Sequence, residues 1–158
     1  MNTQKSSLEF SHFPVMLNEI IEISSASRGG GFIDCTFGGG GYSEELLKYP
    51  KTRVIGVDRD TYVISIAKKL EKKFNKRFKF YELKFSQIDK IIKEYVDGII
   101  FDLGLSSIQL NDLKRGFSFK SKEDLDMSMG LTDTSAKDTV NNLSEMQLKL
   151  IIKISIYL

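Results

Sequence analysis

Phe32-Ile33-Asp34-Cys35-Thr36-Phe37-Gly38-Gly39-Gly40-Gly41-Tyr42-Ser43, followed after a short helical stretch by Val54-Ile55-Gly56-Val57-Asp58-Arg59-Asp60, decides the fold. It reads as a buried strand, a glycine-rich turn, a helix and a second strand that ends in a carboxylate. That order builds a pocket for a nucleoside. Glycines let a ligand approach the backbone, and a carboxylate at the end of the second strand can grip two vicinal ribose hydroxyls.

Working outward, the spacing of Val15, Met16, Leu17, Ile20 and Ile21 predicts a helix from Pro14 to about Ser24. The polar residues 1–12 are expected to fray. Strands are expected at Phe32–Phe37, Arg53–Val57, Phe78–Leu83 and Val96–Leu103. Helices are expected at Tyr42–Tyr49, with Leu46 and Leu47 inward, at Thr61–Phe74, and from a Ser86 cap to about Tyr95 with Ile88, Ile91 and Ile92 buried. Strand and helix alternate four times, which predicts an α/β, Rossmann-like fold around a parallel sheet with right-handed crossovers. From Gly104 to Met129 the periodicity disappears, and a loop this long is usually functional or disordered. Two short helices are expected at Thr134–Asn142 and Ser144–Ile154.

Composition narrows the function. The 158 residues, 41% hydrophobic and 28% charged, suit one soluble globular domain. A net charge of +2 gives no global field for nucleic acid, so any such contact must use a local patch. Cys35 is the one cysteine, which excludes an internal disulfide, and the sequence has no Cys/His cluster for a metal. Nothing approaches a membrane-spanning length, and a reducing cytoplasm is the expected compartment.

Three carboxylates carry the chemical reading. No Lys-Ser or Lys-Thr follows the glycines, which argues against a Walker-type phosphate loop. Asp34, just before the turn, would repel a pyrophosphate but suits an ammonium and a sulfonium. S-adenosylmethionine carries both and no phosphate. The alternative is that Asp34 merely caps the turn. Asp58 stands where an open α/β sheet places its ribose carboxylate, the alternative being a helix cap, a role Asp60 could also fill. Phe85, after the third strand, could lie against an adenine ring or simply close the core. Asp102-Leu103-Gly104-Leu105-Ser106-Ser107, with Gln109 beyond, ends the fourth strand, where polar groups face a ligand's reactive end. If a methyl acceptor is an exocyclic amine, Asp102 can hold an N–H and turn the nitrogen lone pair toward the methyl group, assisted by Ser106 and Ser107.

These stretches resemble the bacterial 16S rRNA cytosine-N4 methyltransferases (small-subunit methyltransferase H). His12-Phe13-Pro14-Val15-Met16-Leu17, Phe101–Leu110, Arg115-Gly116-Phe117-Ser118-Phe119 and Leu125-Asp126-Met127-Ser128-Met129 add to the likeness, which runs from about residue 10 to 152. The resemblance implies a class I S-adenosylmethionine-dependent methyltransferase. Its cofactor would be held by the turn at Gly38, Gly40, Gly41 and Tyr42 (often His in the family), and by Asp58, Phe85, Asp102 and Gln109. It implies a cytosine of the small ribosomal subunit as substrate. Residues 10–110 would form an incomplete cofactor domain, and 111–158 the start of a helical insertion that recognises substrate. In that insertion Arg115 would meet RNA phosphate while Phe117 and Phe119 stack on bases, or all three would pack the insertion on the sheet.

The family runs to roughly twice this length. The ending Ile154-Ser155-Ile156-Tyr157-Leu158 departs from it, as a frameshift or premature stop would. The fourth strand would then be an open, Ile-rich edge, and marginal stability is expected. Two other readings share parts of the pattern. One is a non-catalytic nucleotide- or RNA-binding fragment using the basic face Lys68–Lys79. The other is a nicotinamide-dependent oxidoreductase, whose glycine fingerprint fits poorly here.

Overall fold

The computed structural model describes residues 14–131 and 134–156. The stretch 1–12 expected to fray lies outside the described residues, as do Phe13, Tyr157 and Leu158. Four parallel strands, β1 (Gly30–Asp34), β2 (Thr52–Asp58), β3 (Phe78–Glu82) and β4 (Gly98–Ile100), lie in the order β3-β2-β1-β4. Helix α1 (Leu17–Ser24) precedes β1, while α2 (Gly41–Leu47) and α3 (Ile64–Phe74) make the first two crossovers as expected. The architecture is α/β and Rossmann-like.

Side chains alternate across the sheet. Phe32, Val54 and Phe78 face one side, where Leu46 and Leu47 of α2 and Ala67 and Leu70 of α3 bury them. Ile33, Cys35 and Val57 face the other, under Ile88, Ile91 and Ile92. The isoleucines cover the sheet as expected, but not from an α-helix. A 3-10 stretch, Phe85–Lys90, starts without a side-chain cap and breaks helical geometry at Gln87. Ile88 lies in this stretch and Ile91 and Ile92 follow it directly; three β-branched residues within five positions disfavour a helix, and the sheet holds them without one.

The fourth strand is shorter than expected. It pairs with β1 alone, over Phe32↔Gly98 to Asp34↔Ile100, and the ladder closes where Cys35 N–H donates to Ile100 O. Beyond that point Phe101 and Leu103 are exposed. The aperiodic stretch contains a helix too short for periodicity to reveal. In α4 (Ser107–Asn111), Ser106 and Gln109 cap the first turn reciprocally. The two later helices form as α5 (Ala136–Asn142) and α6 (Glu145–Ile156). No helix among the described residues is long and apolar enough to cross a membrane.

Gly56 shows how tightly the helical face is filled. A Cβ there would stand 2.9 Å from the Phe37 ring and 3.0 Å from that of Phe78. Gly56→Val is expected to lower unfolding free energy by about 1–3 kcal/mol, measured by urea denaturation.

Candidate functional site

A cavity of about 560 Å³ opens at the carboxyl ends of the strands, within the usual range for small-molecule sites. Its walls come from the turn after β1, from Asp58–Asp60 after β2, from Leu83 and Phe85 after β3, and from Asp102–Gln109 after β4. Pro14, Val15 and Met129 close the sides. This is where open α/β sheets bind ligands, because each strand end delivers a loop to one rim.

Asp58 and Asp102 both line this cavity, with Gly38, Gly41, Tyr42, Phe85, Ser106, Ser107 and Gln109. Asp58 anchors the glycine turn. Its Oδ2 accepts the Gly38 N–H at 2.8 Å and its Oδ1 the Asp60 N–H at 2.9 Å. Burial raises its carboxyl above the ordinary range, while these N–H donors pull the other way. Asp102 is exposed at the rim, and its N–H donates to Thr36 Oγ1 at 2.8 Å, tying the end of β4 to the loop after β1. The Tyr42 hydroxyl donates to Val15 O at 2.5 Å and lies 3.3 Å from Asp102 Oδ2. Burial, then the Asp102 charge, pushes that phenol up to about 12. Phe85, partly exposed, meets Phe101 edge-on at 5.6 Å. Ser106 is occupied as a helix cap: its Oγ accepts the Gln109 N–H at 3.3 Å. Cys35 sits in the wall, its thiol raised to about 11 by burial and the nearby Asp34.

Four candidate residues stand away from the cavity wall, Arg115 and Phe117 in the packing role that is the alternative for them. Asp34 does not reach the cavity wall. Alternation turns it toward α2, where it is fully buried and accepts the Ser43 Oγ–H at 2.7 Å. Burial raises its carboxyl to about 6, softened by Ser43 and by the neighbouring Thr36 backbone. Gly40 is also behind the wall. Its φ of +78° and the Phe37 ring, 2.7 Å from where a Cβ would stand, account for glycine there without a ligand. Arg115 is buried rather than turned to RNA. Its Nη1 lies 2.9 Å from Asp60 Oδ2 and its Nη2 donates to Ser128 O at 2.9 Å. Its guanidinium stacks 4.0 Å above the Tyr62 ring and 5.1 Å from that of Phe117. Phe117 is buried with it, so it offers no stacking surface, whereas Phe119 is fully exposed.

Asp60 is the residue that sequence reading undervalued. Besides accepting the Tyr62 N–H as a cap at 3.1 Å, it takes the Gln109 Nε2–H at 2.9 Å and the Arg115 charge, all out of solvent. Asp60 and Gln109 both line the cavity, so this buried cluster fixes one wall against another. The one available signal was a second carboxylate immediately after Asp58-Arg59.

The wall suits a nucleoside with a charged amino-acid tail. At Gly39 no atom beyond its two chain neighbours lies within 4 Å of where a Cβ would stand, and Gly39 itself lines the cavity. Arg59 lines the same cavity, and its shielded Nε–H has no acceptor among the described residues, a vacancy a ring nitrogen or ribose oxygen would fill. Two carboxylates at the rim suit hydroxyls and an ammonium group and disfavour a pyrophosphate.

The sequence profile of the MraW methylase family matches residues 9–155. The chain is 40% identical over 147 residues to a ribosomal RNA small subunit methyltransferase H of Ehrlichia ruminantium (strain Welgevonden), covering 89% of this chain and 49% of that protein. It is 42% identical over 143 residues to the protein of the same name in Rickettsia massiliae (strain Mtu5), covering 90% and 47%. For the protein of that name in Bartonella tribocorum the figures are 41% over 143 residues, 90% and 43%. The chain thus spans about half the length of the curated relatives it matches.

Two measurements probe the buried charges. Asp34 holds its proton to about pH 6 when folded and to about 3.8 when unfolded. Between those values the folded chain binds the extra proton, so stability falls as pH rises through that window and levels above it, by up to about 3 kcal/mol. Asp34→Asn keeps an acceptor for Ser43 and is expected to flatten this slope, so the variant gains on the parent between pH 4 and 6.5 in urea titrations. Arg115→Ala leaves Asp60 charged and buried and is expected to cost about 3–5 kcal/mol. Arg115→Lys is expected to recover only part of it, because an ammonium cannot make the planar fork.

Proposed function

The chain belongs to the MraW methylase family, and from that premise we propose that its cavity binds S-adenosylmethionine for methyl transfer to the N4 amine of a cytosine in 16S rRNA of the small ribosomal subunit, in the cytoplasm. The observation that carries this reading is the gathering of Asp58, Asp102 and the glycine turn around one cavity at the strand ends. The names of the relatives supply the substrate class.

In this reading residues 10–110 hold the cofactor and 111–158 begin the substrate-recognition insertion. Asp58 accepts hydrogen bonds from the ribose hydroxyls while its backbone donors keep it fixed. Gly38, Gly41 and Tyr42 shape the turn against which the ligand lies, and Phe85 flanks the base. Gln109 forms the wall that Asp60 braces. Asp34 and Gly40 act from beneath, holding the turn and α2 in register. When bound, the cofactor supplies a methyl group on a cationic sulfur.

Asp102 performs the step that belongs to the chain. From an exposed position its carboxylate accepts an N–H of the cytosine amine, withdraws the nitrogen lone pair from ring conjugation and aims it into the cavity. Orientation of this kind supplies much of a transfer reaction's acceleration. Ser106 and Ser107, at the start of α4, border the same space. Phe119, exposed on the insertion, is the remaining candidate for stacking on an RNA base.

Calorimetry with S-adenosylhomocysteine tests the cofactor site. Saturable binding is expected, weakened about 10- to 100-fold by Asp58→Ala with the circular dichroism unchanged. Asp102→Ala is expected to abolish methyl transfer to unmodified small ribosomal subunits and to weaken that binding less than Asp58→Ala does. A folded chain that gives no heat with the ligand would overturn the proposal.

A further inference from the structure

A second concavity, of about 370 Å³, lies toward the amino ends of the strands, lined by Gly31 and Phe32 of β1 rather than by the turn that follows it. Along β1 the two linings share no residue: Phe32 and Cys35 stand three residues, about 10 Å, apart. Alternation sends Arg53 of β2 and Lys79 and Tyr81 of β3 to the face away from α2 and α3. Register sets Lys79 beside Ile55 and Tyr81 beside Val57. Because residues 91–96 return to β4 without forming a helix, this corner of the sheet stays open.

Four cations line the opening: Arg53, Lys76, Lys79 and Lys93, all exposed. None has an ion-pair or hydrogen-bond partner among the described residues, and the one carboxylate in the lining is Glu94. Some surface lysines are paired, Lys48 with Glu45 and Lys73 with Glu44, both at 2.6 Å, and others stand alone; what marks this groove is that four cations share one concavity with a single carboxylate. Arg77, which also lines the groove, is already committed to the carbonyls of Leu47 and Tyr49 at 3.0 Å. Four unneutralised charges around one groove repel each other and are relieved by a polyanion. Two aromatic faces accompany them. Tyr95 is fully exposed and Tyr81 half-buried.

We propose that this groove binds a single-stranded RNA segment, with Arg53, Lys76, Lys79 and Lys93 on successive phosphates and Tyr95 and Tyr81 against unstacked bases. Cations that track a backbone, interleaved with aromatic rings, are the chemistry that recognises single strands. The choice of RNA among polyanions rests on the function proposed above. The site itself is separate from the cofactor cavity, so the groove would hold a flanking part of the substrate rather than the reacting base.

Fluorescence anisotropy with a labelled 12-nucleotide single-stranded RNA of mixed sequence tests this. The wild-type chain is expected to bind with an affinity that falls with salt at a log–log slope of about 3, near 0.7 per phosphate contact. Arg53→Glu with Lys79→Glu is expected to weaken binding at least tenfold and to lower the slope by about 1.4. Arg53→Lys with Lys79→Arg should retain binding, and Tyr95→Ala should weaken it several-fold at unchanged slope. These variants should bind S-adenosylhomocysteine as the parent does, and Asp58→Ala should bind RNA as the parent does, so failure of the groove and failure of the cofactor site are read separately. Unaltered RNA affinity in the folded charge-reversed variant would overturn the inference, as would equal competition by inorganic phosphate or by duplex RNA.

Discussion

The carboxylate of Asp60 holds the two halves of the cavity wall together. One oxygen caps the turn after β2 through Tyr62 N–H, and the other receives Gln109 and the Arg115 guanidinium. The Asp60, Gln109 and Arg115 side chains meet out of solvent, where an unmatched charge costs several kcal/mol. The arrangement therefore forms as a unit or not at all. Through it, a stretch without secondary-structure periodicity becomes a fixed wall. Gln109 is clamped on α4, Arg115 is held between two aromatic rings, and its carbonyl accepts Met127 N–H. Asp58 stands two residues before Asp60 and holds Gly38, so both rims of the cavity are referenced to the end of one strand.

Other cross-ties repeat the principle at smaller scale. Thr36 receives Asp102 N–H, Tyr42 reaches Val15, and Ser43 reaches Asp34. The first joins the loops after β1 and β4, the second ties α2 to the segment before α1, and the third ties α2 to the end of β1. A cavity built this way meets its ligand already shaped, and little ordering remains to oppose binding.

How much the sequence reveals depends on whether the deciding contact is local. Continuous apolar runs such as Phe32-Ile33 and Val54-Ile55 expose strands buried on both faces, and the glycine turn and Asp58 expose the cavity, because each signal lies within one strand–turn–helix unit. Arg115 misleads for the opposite reason. A cation amid Gly, Ser and Phe reads as surface, and its partner Asp60 is remote in the chain and meets it only through tertiary packing. Asp34 misleads by one step of pleat: it stands beside the cavity, but alternation turns it inward. The segment from Ser86 to Tyr95 carries helical spacing in its isoleucines, yet their burial on the sheet is satisfied by a 3-10 turn. At α4 five residues are too few for any periodic signal.

Cys35 gives the cavity an unusual chemical neighbour. Sulfur is a soft nucleophile, and in the function proposed above an electrophilic methyl carbon would occupy the cavity that this sulfur lines. Burial and the adjacent carboxyl keep the proton on this sulfur up to about pH 11. At neutral pH the side chain therefore keeps its proton and stays a passive, oily part of the wall, desolvated by the same packing that sets Ile33 and Val57 around it.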